Sequence, residues 1–161
     1  MYKIGIITVS DKGSLGERID ESGPAIREMV KELGDVAKYQ VLPDDLEVLK
    51  EAMVNMSDKG KVDLILTTGG TGLSPRDNTP EATLAVIDRE VPGLPEAMRQ
   101  ESLKKTNRAM LSRAVAGVRN RTLIINLPGS VKGVQECLEV ILPALPHGLD
   151  ILTGRGGECG S

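Results

Sequence analysis

VDLILTTGGTGLSPRDNTPEAT, residues 62–83, joins a short apolar strand to a glycine-rich loop and then to the start of a helix. A buried strand of an α/β sheet presents backbone N–H groups at its carboxyl end. Here Gly69, Gly70 and Gly72 let that backbone approach an anion without an intervening Cβ. Asp77 follows within reach of a metal bound to such an anion. The stretch therefore predicts a strand over 62–67 followed by a loop that holds phosphate.

The loop differs from the two best-known phosphate signatures. GxxxxGK[ST] would need a lysine where Leu73 stands, and GxGxxG would need a different glycine spacing. A glycine-rich connection between a strand and a helix is more often only a tight turn. Phosphate binding is therefore favoured by the neighbouring acid, hydroxyls and arginine rather than by the glycines alone.

Strand and helix patterns alternate on both sides of this stretch. The proline after Thr79 suits a first helical position, and Asp44 and Glu47 have the spacing of a capping box. The alternation predicts a single three-layer α/β/α domain over 1–153, with a mostly parallel sheet and one antiparallel edge pair, and a flexible glycine-rich tail over 154–161. The predicted strands are 3–9, 39–42, 62–67, 114–118 and 122–127, and the predicted helices follow 22–24 or cover 44–56, 79–89, 96–104, 130–141 and 147–152.

The composition argues against a nucleic-acid or membrane partner. Phe and Trp are absent, so base-stacking platforms are nearly excluded, and 20 basic against 23 acidic residues give a net charge of −3 with no basic block. No apolar stretch approaches membrane length and the N-terminus lacks a leader-type apolar region, which predicts a cytoplasmic protein. Cys137 and Cys159 lack the spacing of a disulfide framework, and His147 as the only histidine excludes a multi-histidine metal site.

Polar side chains gather where the predicted strands end. Ser10–Asp11, 69–77 and 126–130 follow three strands, and Asp44 follows another. Because the carboxyl ends of parallel strands meet at one edge of a sheet, these residues should form one pocket. Backbone donors, hydroxyls and carboxylates suit an anionic ligand carrying Mg²⁺, which commonly takes one or two carboxylates together with substrate phosphates.

Each of these residues also has a purely structural alternative. Asp44 could be only an N-cap, and Thr79 needs no role beyond capping. Asp11 and Asp77 could form turns through their own side chains. These alternatives do not explain why the acids follow strands at one predicted edge. Similar alternatives, as surface residues or a helix cap, apply to Ser112, Arg113 and Ser130.

Four segments resemble the MogA/MoaB family, which includes the G domain of gephyrin. They are GGTG at 69–72, RDNTPEAT at 76–83, SRA at 112–114 and NLPGS at 126–130. The likeness covers nearly the whole chain. It implies a homotrimeric α/β fold and a late step of molybdenum cofactor synthesis, in which ATP adenylylates molybdopterin with Mg²⁺ as cofactor.

The resemblance also implies roles for particular residues. Asp44 and Asp77 would be catalytic and would hold Mg²⁺, and Pro43-Asp44 matches an acid that MogA-type enzymes carry and the MoaB type lacks. Leu73-Ser74 and 114–117 are more similar to the MoaB type. The molybdopterin and nucleotide would be bound by Ser10, Asp11, Gly69, Gly70, Thr71, Gly72, Ser74, Thr79, Pro80, Glu81, Ser112, Arg113, Pro128, Gly129 and Ser130.

Three functions follow from these observations, and the leading one is a molybdopterin adenylyltransferase. The second is a MoaB-like protein that binds a pterin or nucleotide without turnover. The presence of both Asp44 and Asp77 argues against this second function. The third is a scaffolding domain, which the short single-domain chain makes less attractive. For the enzyme, the expected partners are molybdopterin, ATP, two further copies of the chain and a downstream molybdate-insertion enzyme.

Overall fold

The computed structural model describes residues 1–156, which form a mixed sheet of six strands in the order β2-β1-β3-β6-β5-β4. β1, β2, β3 and β6 pair in parallel, whereas β4 and β5 run antiparallel at one side. The predicted three-layer α/β architecture with one antiparallel edge is thereby confirmed. The strands are β1 (Tyr2–Val9), β2 (Gly34–Leu42), β3 (Leu64–Thr68), β4 (Arg89–Glu90), β5 (Ala116–Arg119) and β6 (Thr122–Leu127).

Seven α-helices in the described part of the chain cover the sheet. They are α1 (Asp11–Ser14), α2 (Ser22–Met29), α3 (Leu46–Val54), α4 (Thr79–Val86), α5 (Gly93–Leu103), α6 (Val131–Ile141) and α7 (Leu145–Thr153). A π-helical turn (Asn55–Lys59) extends α3, and 3-10 turns lie at Asn107–Leu111 and Leu142–Ala144.

Two hydrophobic cores lie on opposite faces of the sheet because successive side chains of a strand point to opposite sides. Ile4 and Ile6 of β1 pack in a core with residues of α2, α6 and α7. Ile7 and Val9 pack in a second core with residues of α3 and α4. The central strands are therefore buried on both faces, which is the reason for their nearly continuous apolar sequences.

The register of the parallel strands brings their carboxyl ends together. Thr8 of β1 lies beside Thr68 of β3, and Thr68 in turn lies beside Leu127 of β6. The segments that follow these strands therefore leave the sheet at one edge. This confirms the common edge that the sequence predicts for the polar residues.

The start of α3 corrects the predicted capping box. Asp45, rather than Asp44, is the N-cap, because its backbone is extended and its carboxylate accepts a hydrogen bond from Val48 N at 3.0 Å. Asp44 lies before the cap, and its carboxylate accepts a hydrogen bond from Asn78 N instead. The alternative that Asp44 is only an N-cap is therefore wrong.

The start and the end of α4 also differ from the prediction. Asn78, not Thr79, occupies the N-cap position, and its side chain makes no capping bond. The helix ends at Val86 because Ile87 is extended and leads into β4, a strand that the sequence analysis did not predict.

The second strand is longer than predicted. It begins at Gly34 rather than at residue 39, and most of its side chains are exposed because it lies at the outer edge of the sheet. An exposed edge strand lacks the apolar pattern on which the prediction depended.

Of the predicted flexible tail, 154–161, residues 157–161 lie outside the described part of the chain. Of its first residues, Gly154 ends α7 in the left-handed conformation, with φ of 76°. The Arg155 guanidinium lies 4.9 Å from the centre of the Tyr2 ring, and its Nη2 is 3.4 Å from Asp63 Oδ2. Across residues 1–156 we find no helix with the length and apolar character needed to cross a membrane.

Candidate functional site

The glycine loop lies at the shared carboxyl edge and requires two residues without side chains. Gly69 and Gly70 have φ of +96° and +70°, the region that favours glycine. A Cβ at Gly69 would stand 2.6 Å from the Val9 carbonyl oxygen. A Cβ at Gly70 would stand 2.3 Å from Thr79 Oγ1 and 2.7 Å from Asp44 Oδ2. The loop is therefore packed against β1, α4 and the Asp44 carboxylate.

Buried hydroxyls hold the glycine loop in place. Thr79 is fully buried, and its Oγ1 donates to the Gly69 carbonyl at 2.9 Å. Pro80 follows in the first turn of α4 and is also buried. The structure thus places Thr79 and Pro80 beneath the loop, where they support its backbone.

Asn126 extends this buried network across the sheet. Its Nδ2 donates to Thr67 Oγ1 at 3.0 Å and to Thr83 Oγ1 at 2.9 Å, and its Oδ1 accepts from Val115 N at 3.2 Å. Thr83 Oγ1 in turn donates to the Thr79 carbonyl at 2.9 Å. β3, β6 and the start of α4 are therefore joined by a continuous set of side-chain hydrogen bonds below the loop.

Asp44 is a buried acid beside the glycine loop, with only 6% of its surface exposed. Its Oδ1 accepts a hydrogen bond from Asn78 N at 2.9 Å, while its Oδ2 faces Gly70. The pKa of Asp44 is raised, chiefly by burial and further by the neighbouring charges of Asp77 and Asp11. The hydrogen bond from Asn78 and the charge of Arg76 oppose this shift but do not outweigh it. A cation at this position would relieve that repulsion.

Asp11 connects the end of β1 to the residues around Asp44. Its Oδ1 accepts a hydrogen bond from Asp44 N at 2.9 Å. Arg76 contacts both oxygens of the same carboxylate, with Nη2 at 2.8 Å from Oδ1 and Nε at 3.1 Å from Oδ2. The hydrogen bonds from Arg76 lower the pKa of Asp11. Asp11 is therefore a charged acid that joins two loops of the site.

Asp77 and Ser74 form a local turn within the loop. Asp77 Oδ2 accepts a hydrogen bond from Ser74 N at 3.0 Å, and a Cβ at Gly72 would stand 2.9 Å from the same oxygen. Asp77 therefore does form the turn that the structural alternative predicts. Its carboxylate also faces the glycine loop, so the turn does not exclude a role in binding.

Arg113 clamps the loop from outside. Its Nε donates to the Gly72 carbonyl at 2.7 Å, its Nη2 to the Asp77 carbonyl at 2.8 Å, and its Nη1 to Glu81 Oε2 at 2.7 Å. Its backbone N–H donates to the Thr71 carbonyl at 2.9 Å. Arg113 and Glu81 therefore fix the path of the loop between β3 and α4.

The turn after β6 lies against the glycine loop. A Cβ at Gly129 would stand 3.3 Å from the Gly69 Cα, and Thr68 Oγ1 donates to the Pro128 carbonyl at 2.6 Å. Ser130 caps α6 by accepting a hydrogen bond from Gly133 N at 3.0 Å, as predicted. The two loops thus form one continuous surface at the sheet edge.

Two clefts open on either side of this turn. One of about 620 Å³ contains Ser10, Thr68, Gly129 and Ser130. The other, of about 510 Å³, contains Ser112, Pro128 and again Ser130, beside the cationic residues Arg99, Lys105, Arg108 and Lys132. The structure therefore separates the predicted binding residues into a glycine-loop group around Asp44 and two clefts that meet at Ser130.

The site has the donor chemistry for a cation held together with phosphate. In the described part of the chain, no group of three or more His, Cys, Asp or Glu residues encloses a metal position. Asp44, between β2 and α3, supplies a buried carboxylate oxygen, and Asp77 supplies a second carboxylate from the glycine loop. This arrangement fits Mg²⁺, which keeps several of its oxygen ligands from water and substrate phosphates.

Three residues of the site are absent from the predicted binding set. Asn78 and Arg76 position Asp44 and Asp11, and Asp20 lines the larger of the two clefts. Asn78 contributes through its backbone N–H, which no residue pattern can reveal. The pairing of Arg76 with Asp11 joins positions 65 apart in the chain. The only signal available was that Arg76 stands between a phosphate-type loop and an acid.

A mostly parallel sheet with a glycine loop, a buried acid and two clefts at its carboxyl edge is the arrangement of α/β proteins that bind phosphorylated ligands. Comparison with known proteins narrows this class. The sequence profile described as "Probable molybdopterin binding domain" matches residues 5–147. The chain belongs to this molybdopterin-binding family, the MogA/MoaB family.

Several relatives cover nearly the whole chain. Molybdopterin adenylyltransferase of Helicobacter pylori J99 is 44% identical over 155 residues, which are 94% of this chain and 88% of the relative. The Escherichia coli K12 protein of the same name is 40% identical, over 88% of this chain and 74% of the relative. The crystal structure of the molybdopterin biosynthesis enzyme MoaB from Thermus thermophilus superposes with a TM-score of 0.91 at 55% identity, covering 96% of this chain and 98% of that chain.

Proposed function

We propose that the protein is a molybdopterin adenylyltransferase of molybdenum cofactor biosynthesis. A terminal phosphate oxygen of molybdopterin would attack the α-phosphorus of ATP; the new P–O bond forms as the bond to the leaving pyrophosphate breaks. The observation that carries the proposal is the buried Asp44 carboxylate, which faces the glycine loop between Asp11 and Asp77. Relatives with the same name and 38–44% identity support it.

The chain needs no nucleophile of its own for this reaction, because both reacting groups belong to the substrates. Its residues act by alignment and by stabilising charge. Hydrogen bonds within residues 1–156 use the amide of Gly69 but not those of Gly70, Thr71 and Gly72. These three amides are available to phosphate oxygens. Arg113 and Thr79 keep the loop in the conformation that presents them.

Mg²⁺ is part of the proposal. Asp44 and Asp77 are the residues that would hold it, because their carboxylates flank the loop on which the phosphates would lie. When bound, the ion would neutralise negative charge on the polyphosphate during transfer. The hydrogen bond from Asn78 N leaves Asp44 Oδ2 directed toward the loop.

A second candidate is a protein that binds molybdopterin or a nucleotide without turnover. The 55% identity to the Thermus thermophilus MoaB structure favours it, as do the MoaB-like residues Leu73-Ser74. Against it, the acid associated with the MogA type is present at Asp44 and is buried in the site.

Direct assay distinguishes the two candidates. The purified protein is incubated with molybdopterin, ATP and Mg²⁺, and adenylylated pterin and pyrophosphate are quantified. The enzyme should produce both in equal amounts and neither when Mg²⁺ is chelated. Binding of molybdopterin with no pyrophosphate release would contradict the enzyme and support the binding protein.

We also propose a homotrimer, on the strength of the family. Sedimentation equilibrium at micromolar concentration should give three times the mass of the 17.2 kDa chain. A monomer under these conditions would contradict the proposal. A downstream molybdate-insertion enzyme is the partner that would receive the adenylylated product.

A further inference from the structure

Arg76 and Asp11 form an ion pair at the mouth of the glycine loop. The guanidinium uses two of its N–H groups, so both carboxylate oxygens of Asp11 are engaged, at 2.8 and 3.1 Å. The side chains of Arg76 and Asp11 remain 65% and 44% exposed. Because an exposed ion pair contributes little to stability, the pair can be broken at small cost.

The guanidinium of Arg76 has the shape that phosphate recognition requires. Its planar fork of N–H groups fits two oxygens of a phosphate as well as it fits two oxygens of a carboxylate. Asp11, which it contacts through two N–H groups, holds the cation beside the loop. Arg76 is thus a strong anion-binding group whose present partner is a carboxylate of the protein.

Arg113, whose side chain also contacts the glycine loop, cannot play this part. Arg113 donates from Nε and Nη2 to the carbonyls of Gly72 and Asp77, and from Nη1 to Glu81. Withdrawing it would release the loop itself. The Arg76 guanidinium, in contrast, donates to Asp11 alone within residues 1–156.

Release of Arg76 would leave the site assembled. Asp11 Oδ1 also accepts a hydrogen bond from Asp44 N at 2.9 Å, and Asp44 Oδ1 accepts from Asn78 N. These bonds connect β1, the start of α3 and the loop without help from the guanidinium. The pair with Arg76 is therefore dispensable for the arrangement of Asp11, Asp44 and Asn78.

We propose that Arg76 binds the polyphosphate of the nucleotide, and that Asp11 holds its guanidinium beside the loop until the polyphosphate displaces the carboxylate. The inference rests on the proposed function, since it assigns a residue to the nucleotide of that reaction. It predicts that the two members of one ion pair have opposite effects on nucleotide affinity.

Titration calorimetry with α,β-methylene ATP, a non-transferable analogue, tests this. Arg76→Gln should weaken analogue binding by about tenfold or more, since hydrogen bonds to a charged group are lost. Asp11→Asn should bind the analogue more tightly than the wild type, because the amide oxygen can still accept from Asp44 N while the competing charge is gone. Adenosine affinity should change in neither variant.

Arg119→Gln is the matched control. Arg119 forms the same type of forked pair with Asp58, at 2.8 and 3.1 Å, but near the turn that precedes β6 at the opposite edge of the sheet. This control should bind the analogue with wild-type affinity. Thermal unfolding of each variant separates loss of binding from loss of the fold.

Two outcomes would overturn the inference while leaving the proposed function intact. One is wild-type analogue affinity in Arg76→Gln. The other is an equal loss of affinity in Arg76→Gln and Asp11→Asn, which would make the pair a fixed part of the scaffold. A wild-type protein that binds no analogue, and also releases no pyrophosphate in the assay above, would overturn both.

Discussion

Asp44→Asn is expected to slow pyrophosphate release by about tenfold or more, which corresponds to the loss of ~1.4 kcal/mol or more of transition-state stabilisation. The amide retains the size of the carboxylate and can still accept the hydrogen bond from Asn78 N. It lacks the charge that would hold Mg²⁺ beside the polyphosphate. Turnover with saturating ATP and molybdopterin is the measurement.

The stability of Asp44→Asn against thermal unfolding, unlike its rate, should not fall. Burial and the charges of Asp77 and Asp11 raise the pKa of Asp44, so the folded state binds this proton more tightly than the unfolded state. At neutral pH the ionised carboxylate is therefore a cost to the fold, and Asp44→Asn should unfold at the same temperature as the wild type or higher. A loss of rate without a loss of stability is the signature expected of a functional acid.

Asp45→Asn is the matched control, because it removes the same charge one position along the chain. Asp45 is the N-cap of α3, and Asn is about as good a cap as Asp. The control should keep the wild-type rate and stability, whereas Asp77→Asn should lose rate as Asp44→Asn does. Wild-type rates in both Asp44→Asn and Asp77→Asn would refute the two-aspartate mechanism.

The acid limb of the rate provides a second readout for Asp44. If its charged form is required, the rate falls as pH drops through its pKa. In kcat/KM, which reports the protein before Mg²⁺ and nucleotide bind, the fall should begin at a higher pH than an exposed aspartate would give, because that pKa is raised above the ordinary 3.8. Asp44→Asn should show no such limb in its residual rate.

Gly70→Ala should abolish most of the activity, with a loss of about a hundredfold (roughly 2.7 kcal/mol) in rate. The new Cβ would stand 2.3 Å from Thr79 Oγ1 and 2.7 Å from Asp44 Oδ2, so both groups must move. The φ of +70° adds about 1 kcal/mol of strain for any residue with a Cβ. Rates and thermal unfolding measured on one preparation give both effects.

Gly16→Ala separates the effect of backbone strain at positive φ from the effect of displacing neighbouring side chains. Gly16 has a φ of +76°, almost the same as Gly70, but no atom lies within 4 Å of the position of its Cβ. This variant should lose about 1 kcal/mol of stability and keep the wild-type rate. Equal rates in Gly70→Ala and the wild type would mean that the contact between the loop and Asp44 has no catalytic role.

The common edge of the site could be predicted because it depends on simple patterns. Strands that are buried on both faces have continuous apolar sequences, and the short polar segments after β1, β3 and β6 mark where they end. β2 was predicted too short because its exposed side chains carry no such pattern. β4 has only the two residues Arg89 and Glu90, too few for any periodicity.

The details within the site required coordinates. The sequence predicts Asp44 as the cap of α3, but the hydrogen bond that Asp45 accepts from Val48 N makes the next residue the cap and leaves Asp44 to bond Asn78 N. The clamp formed by Arg113 uses backbone carbonyls, which are present at every position and therefore leave no trace in the residue pattern.

The hydrogen bonds of Asn126 with Thr67 and Thr83 have a consequence for how the sequence can change. A hydrophobic core tolerates substitutions that conserve volume, but these three side chains fit by donor and acceptor. Loss of Asn126 removes a donor from both threonine hydroxyls, and loss of either threonine removes an acceptor from the Asn126 amide. The three positions can therefore drift only as a set. At this edge of the sheet, hydrogen-bond complementarity rather than side-chain volume limits which substitutions the interior accepts.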